Sequence, residues 1–208
     1  MIDYLTSALA TLLVVADPIF LSALFLGLTN NLTVKQRREV ALRGSIIALC
    51  ILVAAGLGGA KLLELLGISL SAFRIAGGLL LLSAAAEMVF DRRSQRLQAT
   101  ADTAVSVDHV KNIAAFPLAI PLMAGPGAIT AMILLAGRAD GKMDYLLGLF
   151  AVAALVMLAC YVSFLMAERI SKTMGVTGRA VITRLLGIIL AALAVQFIID
   201  GISALVAA

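Results

Sequence analysis

The segment Pro117-Leu118-Ala119-Ile120-Pro121-Leu122-Met123-Ala124-Gly125-Pro126-Gly127-Ala128 decides how this chain folds, because it is apolar and yet contains three prolines and two glycines. A proline inside a helix removes a backbone donor and crowds the preceding turn. No uninterrupted helix is therefore expected to run through this segment. What the interruption means depends on the sequence on either side of it.

The composition on either side indicates a membrane protein. Of the 208 residues, 62% are hydrophobic and 13% are charged, with a mean hydropathy of +1.11. Soluble domains are about half apolar and about a quarter charged, and a helical span needs about 20 apolar residues. We therefore expect an all-α membrane protein that forms a single transmembrane domain over residues 1–208. The apolar runs predict six spans, near residues 4–29, 41–66, 69–90, 113–137, 145–167 and 180–206.

Several classes of function are not expected. The net charge is +4, but the chain has no Trp and only three Tyr, without the mixture of basic and aromatic residues that binds nucleic acid. His109 is the only histidine, and Cys50 and Cys160 lie apart in apolar runs, so neither a metal nor a cofactor is predicted. Motifs of hydrolases, nucleotide-binding loops and zinc proteases are missing, which argues against an enzyme.

The basic residues predict how the chain is oriented in the bilayer. Lys and Arg are retained on the cytoplasmic side of short loops. With six spans, twelve of them fall on one side and four on the other, which places both termini in the periplasm of a Gram-negative cell. The larger group contains Lys35, Arg37, Arg38, Arg43, Arg92, Arg93, Arg96, Lys111, Arg169, Lys172, Arg179 and Arg184.

The two halves of the sequence resemble each other weakly. Ala16-Asp17-Pro18 aligns with Ala124-Gly125-Pro126, and the same offset along the chain aligns Gly67 with Gly175. Further matches follow at a slightly larger offset, which fits a short insertion. These are Cys50 with Cys160 and Arg74 with Arg184. Because the matches are collinear, they favour an internal duplication over chance.

The duplication predicts two inverted repeats. The first repeat covers about residues 1–91 and the second about 113–208, joined by a polar cytoplasmic connection at about 92–112. Each repeat holds three spans, so the second must cross the bilayer with the opposite polarity. Many secondary transporters have this architecture, with a substrate site between the repeats near the middle of the membrane.

Interrupted segments in matching positions mark the predicted site. Asp17-Pro18 interrupts the first span and the proline-rich segment interrupts the fourth, so both leave backbone groups available to a ligand. Alternatively, the prolines only bend helices for packing, and Asp17 is a structural carboxylate paired with an arginine or a proton carrier. The predicted substrate-binding residues are Asp17, Pro18, Ser22, Gly125, Pro126, Gly127 and Thr130.

Four charged residues lie toward the ends of the third and sixth spans. If these spans are antiparallel, Arg74 lies level with Asp200 outside, and Arg184 lies near Glu87 or Asp91 inside. Two such ion pairs would act as alternating gates. The alternative is that these side chains only extend to the membrane surface.

Three segments resemble the MarC family of bacterial inner-membrane proteins, also called the SnatA or neutral amino acid transporter family. They are Asp17-Pro18 with the following Phe25-Leu26-Gly27-Leu28-Thr29, the stretch from Gly67 to Gly78, and the stretch from Pro117 to Thr130. The resemblance implies a six-helix inner-membrane protein, and transport of small neutral amino acids such as glycine or alanine is reported for some members. The chain departs from the family at Phe20 and Ala23, where Gly and Pro are usual, and this departure affects the first half of the site.

These observations together predict a secondary transporter of a small neutral amino acid or similar solute, which works by alternating access within the lipid bilayer. The alternative is a non-transporting membrane scaffold or regulatory protein, which predicts no cavity near Asp17. An intramembrane enzyme would need several polar catalysts at one depth, and the sequence offers Asp17 almost alone. The sequence is compatible with a monomer or a homo-oligomer.

Overall fold

The structure is a computed structural model that describes residues 1–91, 113–139 and 141–206. Within these ranges the chain forms helices joined by short turns and contains no strand. The predicted connection at 92–112 lies outside the described residues. The helices are α1 (Ile2–Ala16), α2 (Pro18–Leu28), α3 (Val34–Leu65), α4 (Leu70–Val89), α5 (Ala114–Met123), α6 (Pro126–Arg138), α7 (Met143–Leu165) and α8 (Ala167–Val206).

Five helical stretches are long and apolar enough to cross a membrane. They are Ile2–Leu28, which combines α1 and α2, and the helices α3, α4, α7 and α8. A sixth crossing results if α5 and α6, which are bent by 60° relative to each other, together form one span. The prediction of an all-helical membrane protein is therefore confirmed, with five or six candidate spans among the described residues.

Two helices begin well before the apolar runs that predicted them. The second span was predicted from residue 41, but α3 begins at Val34. The side chain of Thr33 accepts a hydrogen bond from the backbone N–H of Gln36, whose own side chain accepts one from the N–H of Thr33. This capping box satisfies two N–H groups that a helix start leaves unpaired. Charged residues therefore extend the helix beyond its apolar part.

The last helix is also longer than predicted. The sixth span was predicted from residue 180, whereas α8 begins at Ala167 and runs to Val206. Gly175 interrupts α8 with a positive φ of 59°. The turn between α3 and α4 contains Gly67 with a φ of 70°. Glycine adopts this backbone conformation without steric cost, so the chain can change direction at Gly67 between two spans and at Gly175 within α8.

The helices α4 and α8 pack against each other in an antiparallel arrangement along their length. Their backbones approach closely at glycines, where a Cβ at Gly78 would lie 2.8 Å from Ala194 O and one at Gly187 would lie 3.1 Å from Ala85 O. At the far end, a Cβ at Gly201 would lie 2.9 Å from the carbonyl oxygen of Ser71. Small residues commonly allow such close packing between membrane helices.

The other helices surround the two interrupted segments. The helix α3 packs against α5, α6 and α7, while α1 and α2 pack against α7 and α8. The buried core runs through the interrupted segments themselves, since Ala16, Leu118 and Ala119 are almost completely inaccessible to solvent. The interruptions thus lie in the interior of the protein.

Candidate functional site

The first interruption is built around Asp17, which lies between α1 and α2. Its backbone has φ 46° and ψ 71°, a left-handed conformation that Asp adopts more readily than most residues. Its N–H donates to Leu13 O at 2.9 Å, and its Oδ1 accepts from the N–H of Phe20 at 3.2 Å. Pro18 occupies the first position of α2, where a missing N–H costs no hydrogen bond. Asp17 therefore ends one helix and caps the next, as the predicted interruption requires.

The carboxylate of Asp17 has a further partner on a distant helix. The hydroxyl of Thr183 on α8 donates to Asp17 Oδ2 at 3.0 Å, and both side chains are buried. Sequence analysis missed Thr183, because the alignment of the two halves that matches Arg74 with Arg184 places Thr183 opposite Phe73. The comparison of the two halves therefore gave no signal for a hydroxyl at this position.

The second interruption lies in α5 and at its junction with α6. Phe116 and Ile120 have extended backbones inside this segment of π-helical type, because each precedes a proline. The helix α6 then starts at Pro126, with Gly125 at its cap. A Cβ at Gly125 would lie only 2.5 Å from Pro121 O, so the bend leaves space for glycine alone. The helix therefore breaks near Gly125, where the sequence predicted a break, with a bend of 60° between α5 and α6.

The two interruptions lie next to each other. A Cβ at Gly127, two residues beyond the second break, would lie 3.4 Å from Val15 Cγ1, two residues before the first. Both residues also line the same cavity, whose volume is about 50 Å³. Gly125, Pro126 and Gly127 of the predicted site thus line this cavity together with Val15, whereas Asp17 and Pro18 do not line it.

This central cavity is lined by Gly125, Pro126 and Gly127 at the start of α6, by Val15 on α1 and by Glu87 on α4. Its volume exceeds the roughly 15 Å³ that one water molecule needs but is far below the about 300 Å³ of a typical drug-sized site. In this conformation the cavity fits only a small solute. Because α6 starts here, its first N–H groups give the wall a partial positive charge, and Glu87 supplies a carboxylate.

The predicted hydroxyl residues lie one turn inside the following helices. Ser22 is buried on α2, where its Oγ donates to Ile19 O at 2.6 Å. Thr130 is buried on α6 and its methyl group faces α4, since a Cβ at Gly77 would lie 2.7 Å from Thr130 Cγ2. Both residues therefore flank the interruptions without lining the central cavity.

Asp200, near the end of α8, does not pair with Arg74 as predicted but with another arginine. Asp200 forms an ion pair with Arg138 at the end of α6, and its Oδ1 accepts from Gln196 Nε2 at 2.7 Å. The guanidinium of Arg138 also lies over the ring of Phe197, 4.6 Å from its centroid. These contacts join α6 to α8.

The predicted pairing of Arg74 with Asp200 is not formed. Gly201 is the residue that faces Arg74, since a Cβ at Gly201 would lie 3.1 Å from Arg74 Cβ. Adjacent residues on an α-helix point about 100° apart, so Asp200 turns away from α4 and toward Arg138. Among the described residues, the buried Nε of Arg74 has no hydrogen-bond partner.

The inner gate of the prediction also differs from the structure. Arg184 is exposed, and no ion pair joins it to Glu87 or to Asp91 in the part of the chain that the structure describes. Glu87 instead lines the central cavity. No group of three or more metal-ligating side chains occurs within residues 1–91, 113–139 and 141–206.

Comparison with known proteins identifies the family. Residues 2–206 match the model of the MarC family of integral membrane proteins. The UPF0056 membrane protein MJ1677 of Methanocaldococcus jannaschii is 36% identical over 97% of both chains. The UPF0056 membrane protein YhcE of Escherichia coli is 36% identical over 92% of this chain and 88% of its own. No solved structure matches. Together with the interrupted helices, these matches show that the chain belongs to the MarC family of integral membrane proteins.

Proposed function

We propose that this protein is a secondary transporter that moves a small neutral amino acid, or a similarly small solute, by alternating access. The observation that carries the proposal is that Val15 and Gly127, one beside each interruption, line the same central cavity. A packing role for the prolines alone would not require the two segments to share a cavity. The scaffold alternative predicts no cavity near Asp17, whereas this cavity is lined by Val15, two residues before it.

The chemistry of the central cavity suits a zwitterion. The backbone N–H groups of Gly127 and Ala128 lie at the start of α6 and would receive the substrate carboxylate. The carboxylate of Glu87, which lines the same cavity from α4, would receive the substrate ammonium group. Val15 and Leu190 supply apolar walls that leave room for a small side chain only. We therefore add Glu87 to the proposed substrate site. In the rest of the proposed site, Gly125, Pro126 and Gly127 line this cavity, while Asp17, Pro18, Ser22 and Thr130 lie beside it at the two interruptions.

The backbone supports the two proposed inverted repeats. The interruptions at Asp17 and Gly125 are as far apart along the chain as Gly67 and Gly175, which both have positive φ. The antiparallel packing of α4 and α8 fits repeats that cross the bilayer with opposite polarity. The repeats would cover about residues 1–91 and 113–208.

The ends of the helices support the proposed orientation in the inner membrane. Arg37 at the start of α3 pairs with Glu168 at the start of α8, with 2.9 Å between Nη1 and Oε1. Arg138 pairs with Asp200 at the ends of α6 and α8. The first pair would lie on the cytoplasmic side, where most Lys and Arg occur, and the second on the periplasmic side with both termini.

Uptake of radiolabelled glycine and alanine into proteoliposomes tests the transport proposal. We expect uptake by the wild-type protein and its loss in Asp17→Asn and in Gly125→Leu. Asp144→Asn is the matched control, because Asp144 is exposed at the start of α7. The thermal unfolding of each variant shows whether it is folded. Unchanged uptake in both site variants would refute the site, and no uptake of any small neutral amino acid by the wild type would favour a scaffold.

A further inference from the structure

A second and larger cavity, of about 450 Å³, lies away from the central cavity, at the other end of α2 from Asp17. We call it the interfacial cavity. It is bounded by the end of α2, the start of α3, the end of α7 and the start of α8. Four helix ends therefore meet around one opening.

The inner wall of the interfacial cavity is apolar and firmly packed. Phe25 on α2 and Phe164 on α7 stack with 4.7 Å between ring centroids and 21° between ring planes, and both are buried. Leu26 adds a further apolar surface. At the mouth, Val34 is 83% exposed and Leu165 is 46% exposed. Apolar groups of this kind at a cavity mouth favour contact with hydrocarbon over contact with water.

The rim of the same cavity is basic. It carries Arg37, Arg38 and Arg169 with a single acidic residue, Glu168. Arg37 is held in place by hydrogen bonds to Thr29 O at 3.0 Å and to Glu168 at 2.9 Å. Arg38 and Arg169 are exposed, and neither has an ion-pair partner in the described ranges. The rim therefore keeps an excess of guanidinium groups, whose planar donors match a phosphate.

We propose that the interfacial cavity binds an anionic phospholipid, with the headgroup phosphate on Arg38 and Arg169 and the start of an acyl chain along Leu26, Val34 and Leu165. A small soluble anion would use the rim and leave the apolar wall empty. A neutral apolar ligand would leave the arginines without a counter-ion. An amphiphile with a negative phosphate satisfies both parts, and the neighbouring helices are long and apolar enough to place the opening at a bilayer surface.

Thermal unfolding of the detergent-purified protein tests the proposal with defined lipids. Phosphatidylglycerol is expected to raise the Tm more than phosphatidylcholine with the same acyl chains, and to remain bound in native mass spectrometry. The double variant Arg38→Gln/Arg169→Gln should weaken the apparent affinity for phosphatidylglycerol by about tenfold or more, because it removes two charge-assisted contacts. Both arginines are exposed, so the variant should fold normally without lipid.

Two further variants distinguish this site from general attraction to basic residues. Arg43→Gln removes the same charge from the same helix, but Arg43 pairs with Glu39 at 2.7 Å and lies outside the cavity, so lipid binding should persist. Leu26→Trp fills the apolar wall without a change in charge and should weaken binding. The proposal is overturned if Arg43→Gln loses as much affinity as the double variant, if Leu26→Trp has no effect, or if phosphatidylcholine or glycerol phosphate stabilises the wild type equally.

Discussion

Thr183 donates a hydrogen bond of 3.0 Å to Asp17 Oδ2 and thereby connects α8 to the junction between α1 and α2. The acceptor is completely buried, and Phe20 N–H donates to its other oxygen. When a buried carboxylate loses a hydrogen-bond donor, the folded state is destabilised, because neither water nor the protein then satisfies that oxygen. The position of α8 relative to the first interruption therefore depends in part on this bond.

Replacement of Thr183 by Val removes the donor and preserves the shape of the side chain. We expect the free energy of unfolding to fall by about 1–3 kcal/mol, because Asp17 Oδ2 stays buried but loses the hydrogen-bond donor on Thr183. Thr183→Ser, which retains the hydroxyl, should lose markedly less. Denaturant unfolding in detergent measures both variants, and equal stability of Thr183→Val and wild type would show that the bond contributes nothing.

Gly125→Ala should destabilise the protein, because the new methyl group would lie 2.5 Å from the backbone oxygen of Pro121. Overpacking of this kind costs about 1–3 kcal/mol. Gly27→Ala is the matched control. Gly27 belongs to α2, and a Cβ added there would have no atom within 4 Å. That variant is expected to gain about 0.5–1 kcal/mol from helix propensity. The comparison of the two Tm values checks the prediction, which is wrong if they shift equally.

A double-mutant cycle can identify the cation that stabilises Asp200. Arg138→Gln and Asp200→Asn should show a coupling energy of about 1 kcal/mol, because both side chains are more than two-thirds buried. The same cycle between Arg74 and Asp200 should give a value near zero. The exposed pair of Arg43 and Glu39 is a third comparison and should couple by less than about 0.5 kcal/mol. Stronger coupling to Arg74 than to Arg138 would contradict the observed pairing.

Glu87→Gln tests the site chemistry in the proposed transporter. If Glu87 holds the substrate ammonium group, the variant should raise the KM of uptake by about tenfold, because a charge-assisted hydrogen bond becomes a neutral one. Glu64→Gln removes an exposed carboxylate near the end of α3 and should leave the KM unchanged. An unchanged KM in Glu87→Gln would remove this residue from the substrate site, even if Asp17→Asn abolishes uptake.

The interruptions of the spans were predictable because proline and glycine act locally. Pro18, Pro121 and Gly125 impose their effects within one helical turn, and the structure breaks the helices at these positions. Hydropathy predicted the starts of the helices less well, because the capping box that starts α3 at Thr33 is formed by polar residues. Local chemistry thus predicted where the helices break better than apolar length predicted where they begin.

The partners of Asp17 and Asp200 could not be predicted in the same way. Which residues meet across two helices depends on the rotation of each helix about its axis, and one residue of rotation changes the direction of a side chain by about 100°. Gly201 rather than Asp200 faces Arg74 for this reason. The counterpart of Thr183 in the first half of the chain is Phe73, which has no hydroxyl group. Pairings between distant helices therefore required the structure.

The close approach of α4 and α8 also limits how the protein can move. At Gly78, Gly187 and Gly201 the helices approach closely, since a Cβ there would lie 2.6–2.9 Å from a side-chain atom of the partner helix and 2.8–3.1 Å from one of its backbone oxygens. Sliding of one helix past the other would bring larger residues into these close contacts at three levels. We therefore expect α4 and α8 to shift as one rigid body, so that hinge rotation falls on Asp17 and on the bend before Pro126.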